Sequence, residues 1–150
     1  MATYNRTVTG GGTVGHPSNA AVPYVITSPV WDTADGGTGG DIVQLIDVPA
    51  DTMIVAGCLE VLEARGNGQI TMDIGFTGGD VDCFVDGSAC AAGFTPFLEA
   101  AVGASGANAR MLTSADTIDA LILDGGSSGE SALRFRIHVV MVDVSVNPVE

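Results

Sequence analysis

A chain of 150 residues is long enough for one domain that buries a core without metal or disulfide support. Its 21 glycines and few aromatic residues favour short strands and tight turns over helices. It has no lysine, and its five arginines face 18 acids. The resulting formal charge of −13 runs against binding nucleic acid or anionic lipid, since both rely on cations.

Residues 1–40 form a segment of their own: an extended amino-terminal arm and an edge strand, ahead of a domain over 41–150. TGGGTVGHPSNAAVPYV and DTADGGTGGD are rich in glycine, threonine and proline and hold few core-type runs. Met1–Gly15 is polar and lacks the apolar stretch of a signal peptide. Tyr24–Val30 is the one strand-like run here, and Pro23 and Pro29 confine it to a sheet edge or an extended arm. Such an arm is expected to be ordered by pairing with a neighbouring subunit or a partner surface, or else, over residues 1–20, to be a flexible tail. Trp31, the single tryptophan, sits beside it.

Asp41 to Phe76 spells three strands. DIVQLIDV stops at Pro49, TMIVAGCLEVLEA stops at Arg65-Gly66-Asn67-Gly68, and QITMDIGF stops at Gly78-Gly79. In the third, Ile70, Met72, Ile74 and Phe76 alternate with Gln69, Thr71, Asp73 and Thr77, which predicts one dry face and one wet face. DVDCFVD predicts a further strand with Val81, Cys83 and Val85 on one side. Residues 87–115 are alanine- and glycine-rich and predict a long surface excursion, with PFLEAAV (Pro96–Val102) the best candidate for a short helix. Thr117–Leu123 and Ala132–Val144 predict a last pair joined by the flexible DGGSSGES. In the final strand Leu133, Phe135, Ile137, Val139 and Met141 line one side. Arg134, Arg136 and His138, then Val140, Val142 and Val144, line the other, so one end is wet and the other covered.

Seven or eight strands without helical crossovers predict an all-β, antiparallel two-sheet sandwich of jelly-roll type. No stretch reaches the roughly twenty apolar residues of a membrane helix.

Chemistry-bearing clusters are sparse. Asp80, Asp82 and Asp86 would project from one side of an extended strand, and carboxylates of this kind suit a hard cation. Phe84 stands where a calcium loop would place an oxygen ligand, so solvent-exposed turn acids are the expectation and no metal is assigned. His16 and His138 are too few for a zinc site, and His138 is expected as a hydrogen-bonded sheet residue. Glu60 and Glu63 differ by an odd number and so should point to opposite sides of their strand. Cys58, Cys83 and Cys90 lack metal spacing and are expected as buried free thiols, with Cys58 on the side of Ile54, Ala56 and Leu62. Thr9-Gly10-Gly11-Gly12-Thr13 joins no strand to a helix, and no lysine completes a phosphate cradle. Neither catalysis nor a cofactor is expected.

Several phrases together resemble small virion proteins of tailed bacteriophages, especially those of marine and freshwater bacteria. They are MATYNRTVTGGGTVGHPSN, DIVQLIDVPADTMIVAG, ITMDIGFTGGDVDCFVDG, TSADTIDALIL and the closing HVVMVDVS. The likeness spans residues 40–144 and the first twenty; residues 87–112 resemble nothing in the family. It implies a non-enzymatic capsid decoration, or cement, protein: a homotrimer of β-sandwich subunits on the outer surface of the head. Such a protein folds in the host cytoplasm and then binds the major capsid protein, without nucleic acid or membrane. The contact residues expected are Tyr4, Arg6, His16, Tyr24 and Trp31. The rival expectation is a glycan-binding or tail-associated adhesion module, with Trp31, Tyr24, Phe94 and Phe97 as its aromatic platform.

Overall fold

The computed structural model describes residues 3–9, 23–32, 39–64, 70–97, 110–124 and 133–145, the first of these as backbone only. Eleven strands run through them: β1 (Thr3–Thr9), β2 (Tyr24–Thr27), β3 (Trp31–Asp32), β4 (Ile42–Val48), β5 (Thr52–Glu63), β6 (Thr71–Gly75), β7 (Val85–Ala89), β8 (Gly93–Pro96), β9 (Arg110–Leu112), β10 (Asp116–Asp124) and β11 (Arg134–Asp143). No helix occurs among the described residues, so none there is long and apolar enough to cross a membrane.

The strands form two sheets. Sheet A runs β1-β4-β10-β6-β7. Sheet B runs β2-β11-β5-β8, with β3 beside β11 and β9 beside β5. Every pairing is antiparallel except β1 with β4, which is parallel. The chain changes sheet between β1 and β2, β3 and β4, β4 and β5, β5 and β6, β7 and β8, β9 and β10, and β10 and β11. A turn that carries the chain from one sheet to the other is found at Pro49-Ala50-Asp51. Asp51 adopts φ +56°, a conformation that aspartate tolerates better than most residues, and its carbonyl accepts from Val144 N at 2.8 Å.

The core lies between the sheets. Sheet A contributes Val43, Leu45, Ile46, Met72, Ile74, Ile118, Ala120 and Ile122; sheet B contributes Leu59, Phe135, Ile137, Val139 and Met141. The predicted inner row of the last strand is thus buried throughout, as is the Ile70, Met72, Ile74 and Phe76 row. Burying each such side chain is worth about 1.5–3 kcal/mol, so the two alternating rows specify which way their strands face.

Several expectations are corrected. Residues 3–9 do not reach outward: they add a parallel edge to their own sheet, with Thr3 opposite Ile42 and Thr9 opposite Asp47. Nothing local announces this, because strand addition satisfies the same backbone groups whichever chain supplies the partner. Thr117–Leu123 and the last strand are not a pair. β10 lies between β4 and β6 in sheet A, and β11 between β2 and β5 in sheet B. DVDCFVD is not one strand: residues 77–84 are turn and bend, and β7 begins at Val85. The excursion at 87–115 holds β7, β8 and β9, whose exposed edge positions carry no apolar alternation to betray them. Pro96 ends β8 instead of starting a helix, and residues 98–102 lie outside the described set.

Bulges alter which way several side chains point. Ala56 pairs with Val140 and Ile54 with Met141, which leaves Val55 as an extra residue on β5. A second extra residue, Leu62, separates Val61 from Glu63. The first bulge turns Ala56 and Cys58 away from the core side that Ile54 occupies; Ala56 is exposed and Cys58 half-buried. The second places Glu63 opposite Arg134 while Glu60 stands opposite Arg136, so the two glutamates share one face. Both results overturn simple period-two counting, and a bulge is its physical cause.

Candidate protein interface

The outer face of sheet B is built around β11. Glu60 Oε2 accepts from Arg136 Nε and pairs with His138 Nε2 at 2.9 Å, while His138 Nδ1 meets Thr27 Oγ1 at 2.9 Å. Both ring nitrogens are therefore engaged, across three neighbouring strands, as expected for a sheet histidine. The hydrogen bonds from Arg136 and then His138 hold the Glu60 carboxyl below its ordinary range. Cys58 lies opposite His138, and burial followed by the Glu60 charge pushes its thiol up. That is the reverse of what a nucleophilic thiol needs. Arg134 adds a looser pair with Asp32 at 3.8 Å. Exposed apolar residues accompany this network: Val25 opposite Val140, Phe94 opposite Glu60, Met111 opposite Met53, and Leu62 at its bulge.

Sheet A is dressed differently. Part of its outer face, around Gly75 and Asp119, is covered by the chain's own β6–β7 turn, while Leu123 on β10 stays exposed. Gly75 makes room for it, since a Cβ there would overlap the Asp80 carbonyl and the Val81 backbone. Phe76 N donates to Asp80 O at 2.9 Å, and Thr77 donates through its N and its hydroxyl to Asp119 Oδ2. Arg110 pairs with Asp80 at 3.3 Å and lies over the Phe76 ring at 5.3 Å. Behind the turn Phe76 meets Phe84 edge-on at 5.3 Å, and Phe84 stacks on Phe97 at 4.7 Å. Phe97 in turn fills the place where Gly57 lacks a side chain.

Of the acids weighed from sequence, Asp80 and Asp82 sit on this turn and Asp86 is exposed on β7. Asp80 and Asp82 hydrogen-bond each other; this bond and then Arg110 lower Asp80, while the same bond and then burial raise Asp82. Among the described residues no group of three or more His, Cys, Asp or Glu side chains gathers to hold a metal. Burial pushes the thiols of Cys83 and Cys90 up to about 12, so both are inert core residues.

Of the predicted contact residues, Tyr24 and Trp31 have described side chains, and Trp31 is not at the surface. Trp31 is 1% exposed and belongs to the core, not to a surface; it pairs through β3 with Phe135. Tyr24 is half-buried against that core, and burial followed by Asp143 raises its hydroxyl. Tyr4 and Arg6 lie on β1, at the edge of sheet A. His16 lies outside the described residues. The proposed aromatic platform is dispersed: Phe97 is stacked inside, and Phe94, 69% exposed, is the one exposed ring among the described residues. What sequence reasoning missed is the Thr27–His138–Glu60–Arg136 network, whose members lie up to 111 positions apart. No local spacing could have signalled it.

No protein-family model matches the chain, and no curated protein sequence does. Its fold is similar to chains of three solved phage capsids. A chain of the acidic stable capsid of Helicobacter pylori bacteriophage KHP30 superposes with TM-score 0.62 at 17% identity, covering 87% of this chain and 94% of that one. One from the capsid of Ralstonia phage GP4 gives 0.62 at 17%, over 85% and 89%. One from the cyanophage Pam1 capsid gives 0.61 at 14%, over 91% and 96%. At these identities the likeness is one of fold.

Proposed function

We propose that this chain is a structural protein of a bacteriophage particle, a trimeric decoration protein that binds the major capsid protein on the exterior of the head and stabilises the shell. The observation that carries this is the fold shared end to end with chains of three phage capsids, each covered over 89% or more of its length. The chain's own features agree with it. A jelly roll is part of this reading, and the strand order supports it: taking the eight main strands β2, β4, β5, β6, β7, β8, β10 and β11 in sequence, one sheet reads first-eighth-third-sixth and the other second-seventh-fourth-fifth. The polar centre of sheet B's outer face is knitted together and engages no free base or nucleophile, which fits a rigid contact surface and a non-enzymatic role. A charge of −13 keeps the protein away from the packaged genome and from membranes. Three identical feet also allow each contact to be modest, since the second and third bind at high effective concentration.

The division between an arm and edge-strand segment (1–40) and a sandwich (41–150) belongs to the same proposal, with the contact carried by residues 10–22, the edge β1 with Tyr4 and Arg6, and Tyr24. His16 falls in that stretch. Trp31 acts from beneath, by holding β3 to the core.

The test is light scattering of the purified chain, followed by binding to capsids that lack it. The expected results are a mass near three subunits and saturable binding at symmetry-related sites in an electron-microscopy map. Deleting residues 10–22 spares β1 and should abolish attachment while leaving the assembly folded. A monomer that ignores capsids would overturn the proposal. Normal attachment of the deletion variant would overturn the choice of contact segment.

A further inference from the structure

The outer face of sheet B divides into two halves. In one stand Arg134, Arg136 and His138 with Asp32, Glu60 and Glu63. The other half is apolar, and the register lays it out in two rows. Val25 on β2 stands opposite Val140 on β11, which stands opposite Ala56 on β5. Two residues further along β11, Val142 stands opposite Met53 on β5, which stands opposite Met111 on β9. Ile26, Met141 and Leu112, next to members of these rows in the chain, lie in the core, so the rows face away from it. Val25 is 66% exposed and Met111 55%. Single exposed apolar residues are ordinary, but a continuous group across four strands of a sheet marks a contact surface.

Charge says what covers it. Over the whole sequence five arginines face 18 acids. Among the described residues of this face, two of those arginines stand with three acids, and His138 shares Glu60 with Arg136. A basic partner would be drawn to the acidic surfaces elsewhere on the chain. The partner that suits this face is itself acidic: repelled from the other surfaces, it can approach where charge is nearly balanced. A second copy of the chain, at −13, is such a partner. The apolar rows then supply the dry part of the contact and the ionic half its polar border.

We propose that the apolar half of sheet B's outer face is where copies of this chain join, with Val25 and Met111 as its main contacts. This names the self-contact of the trimer proposed above; it rests on that reading for copies that associate, not for attachment to a capsid.

The experiment is light scattering of the full chain at about 10–100 μM, above the weakest Kd usual for interfaces of standard size. Val25→Lys, Met111→Lys and, on sheet A, Leu123→Lys are run beside it. The wild type and Leu123→Lys should assemble alike. Self-association should weaken at least about thirtyfold in each of the other two, as when a hot-spot residue is lost. Every lysine lowers the net negative charge, so relief of repulsion alone would strengthen assembly, and only a lost apolar contact weakens it. Val25 and Met111 lie on different strands and are more than half exposed, so either variant serves if the other does not fold. Peroxide oxidation of Met111, followed by mass spectrometry, is a second reading: slow in the wild-type assembly and faster in Val25→Lys. A wild-type assembly that the two substitutions break upholds the inference even if no capsid is bound. Assembly unchanged in both variants overturns it and leaves the trimer to another face. A wild-type monomer that still binds capsids also overturns it and leaves attachment standing.

Discussion

Sheets A and B pack the same core between them but treat their outer faces in opposite ways. Sheet A covers part of its outer face with its own β6–β7 turn, which buries Asp119, while Leu123 on β10 stays exposed; Asp73, also buried, accepts through its Oδ1 from Gly87 N on β7 at 2.7 Å. Sheet B leaves its outer face open and crosses it with an ionic network rimmed by exposed Val25, Phe94 and Met111. The difference teaches that a polar residue in a period-two pattern marks the face away from the core, not the face in water.

The largest effect should come from two adjacent residues on β11. Phe135→Ala empties a fully buried site and should cost about 3–5 kcal/mol. Arg136→Ala, one residue on and facing outward, should cost far less, because a half-exposed ion pair contributes little. Denaturant melts of the two variants measure the contrast, and equal losses would show that the outer network carries the sheet.

The covering turn of sheet A can be attacked in the same paired fashion. Gly75→Ala forces a Cβ into the Asp80–Val81 backbone and should cost about 1–3 kcal/mol, whereas Gly79→Ala, with open space around it, should fall within about 0.5 kcal/mol. If Gly75→Ala proved as mild as Gly79→Ala, the turn would not lie against the sheet.

The two faces should also respond to pH with opposite sign. Glu60 on sheet B sits below its ordinary 4.5, so its stabilisation is whole above that value and is lost as pH falls through the depressed one. Asp119 under the turn is raised above 3.8 by burial first, so its favourable contribution is whole below 3.8 and is lost as pH rises through the raised value. Glu60→Gln should flatten the acid limb of the Tm profile, and Asp119→Asn should flatten the decline above it.

The smallest effect concerns thiols. Cys58, half-exposed on sheet B, should react with an aromatic disulfide reagent in the folded protein, slowly at neutral pH and faster as pH rises, since burial and Glu60 raise its pKa. Cys83 and Cys90 should react only on unfolding.

Much of this molecule was legible before any coordinates. Alternation in QITMDIGF and in the last strand identified two buried rows, glycine and proline placed the ends of β4 and β5, and Pro23 and Pro29 put β2 at an edge. The candidate interface was much less legible. Counting by twos misdirected Cys58 and Glu63, because bulges at Val55 and Leu62 add one residue each and reverse the side on which the next ones stand. Trp31 is expected at a contact although a lone tryptophan is more often a core lid, and the core is where it lies.

Sequence alone settled the all-β class, the strong acidity and the inner rows of the main strands, because composition and period two are local and persist in any arrangement of the strands. Only the tertiary structure decided that β10 and β11 part company, that β1 runs parallel to β4, that Glu60 gathers Arg136 and His138, and that Asp119 ends beneath the turn. The physical reason is that a strand's unpaired backbone accepts any neighbour. The choice among neighbours is made by the packing of both sheets at once, and no short stretch of chain contains it.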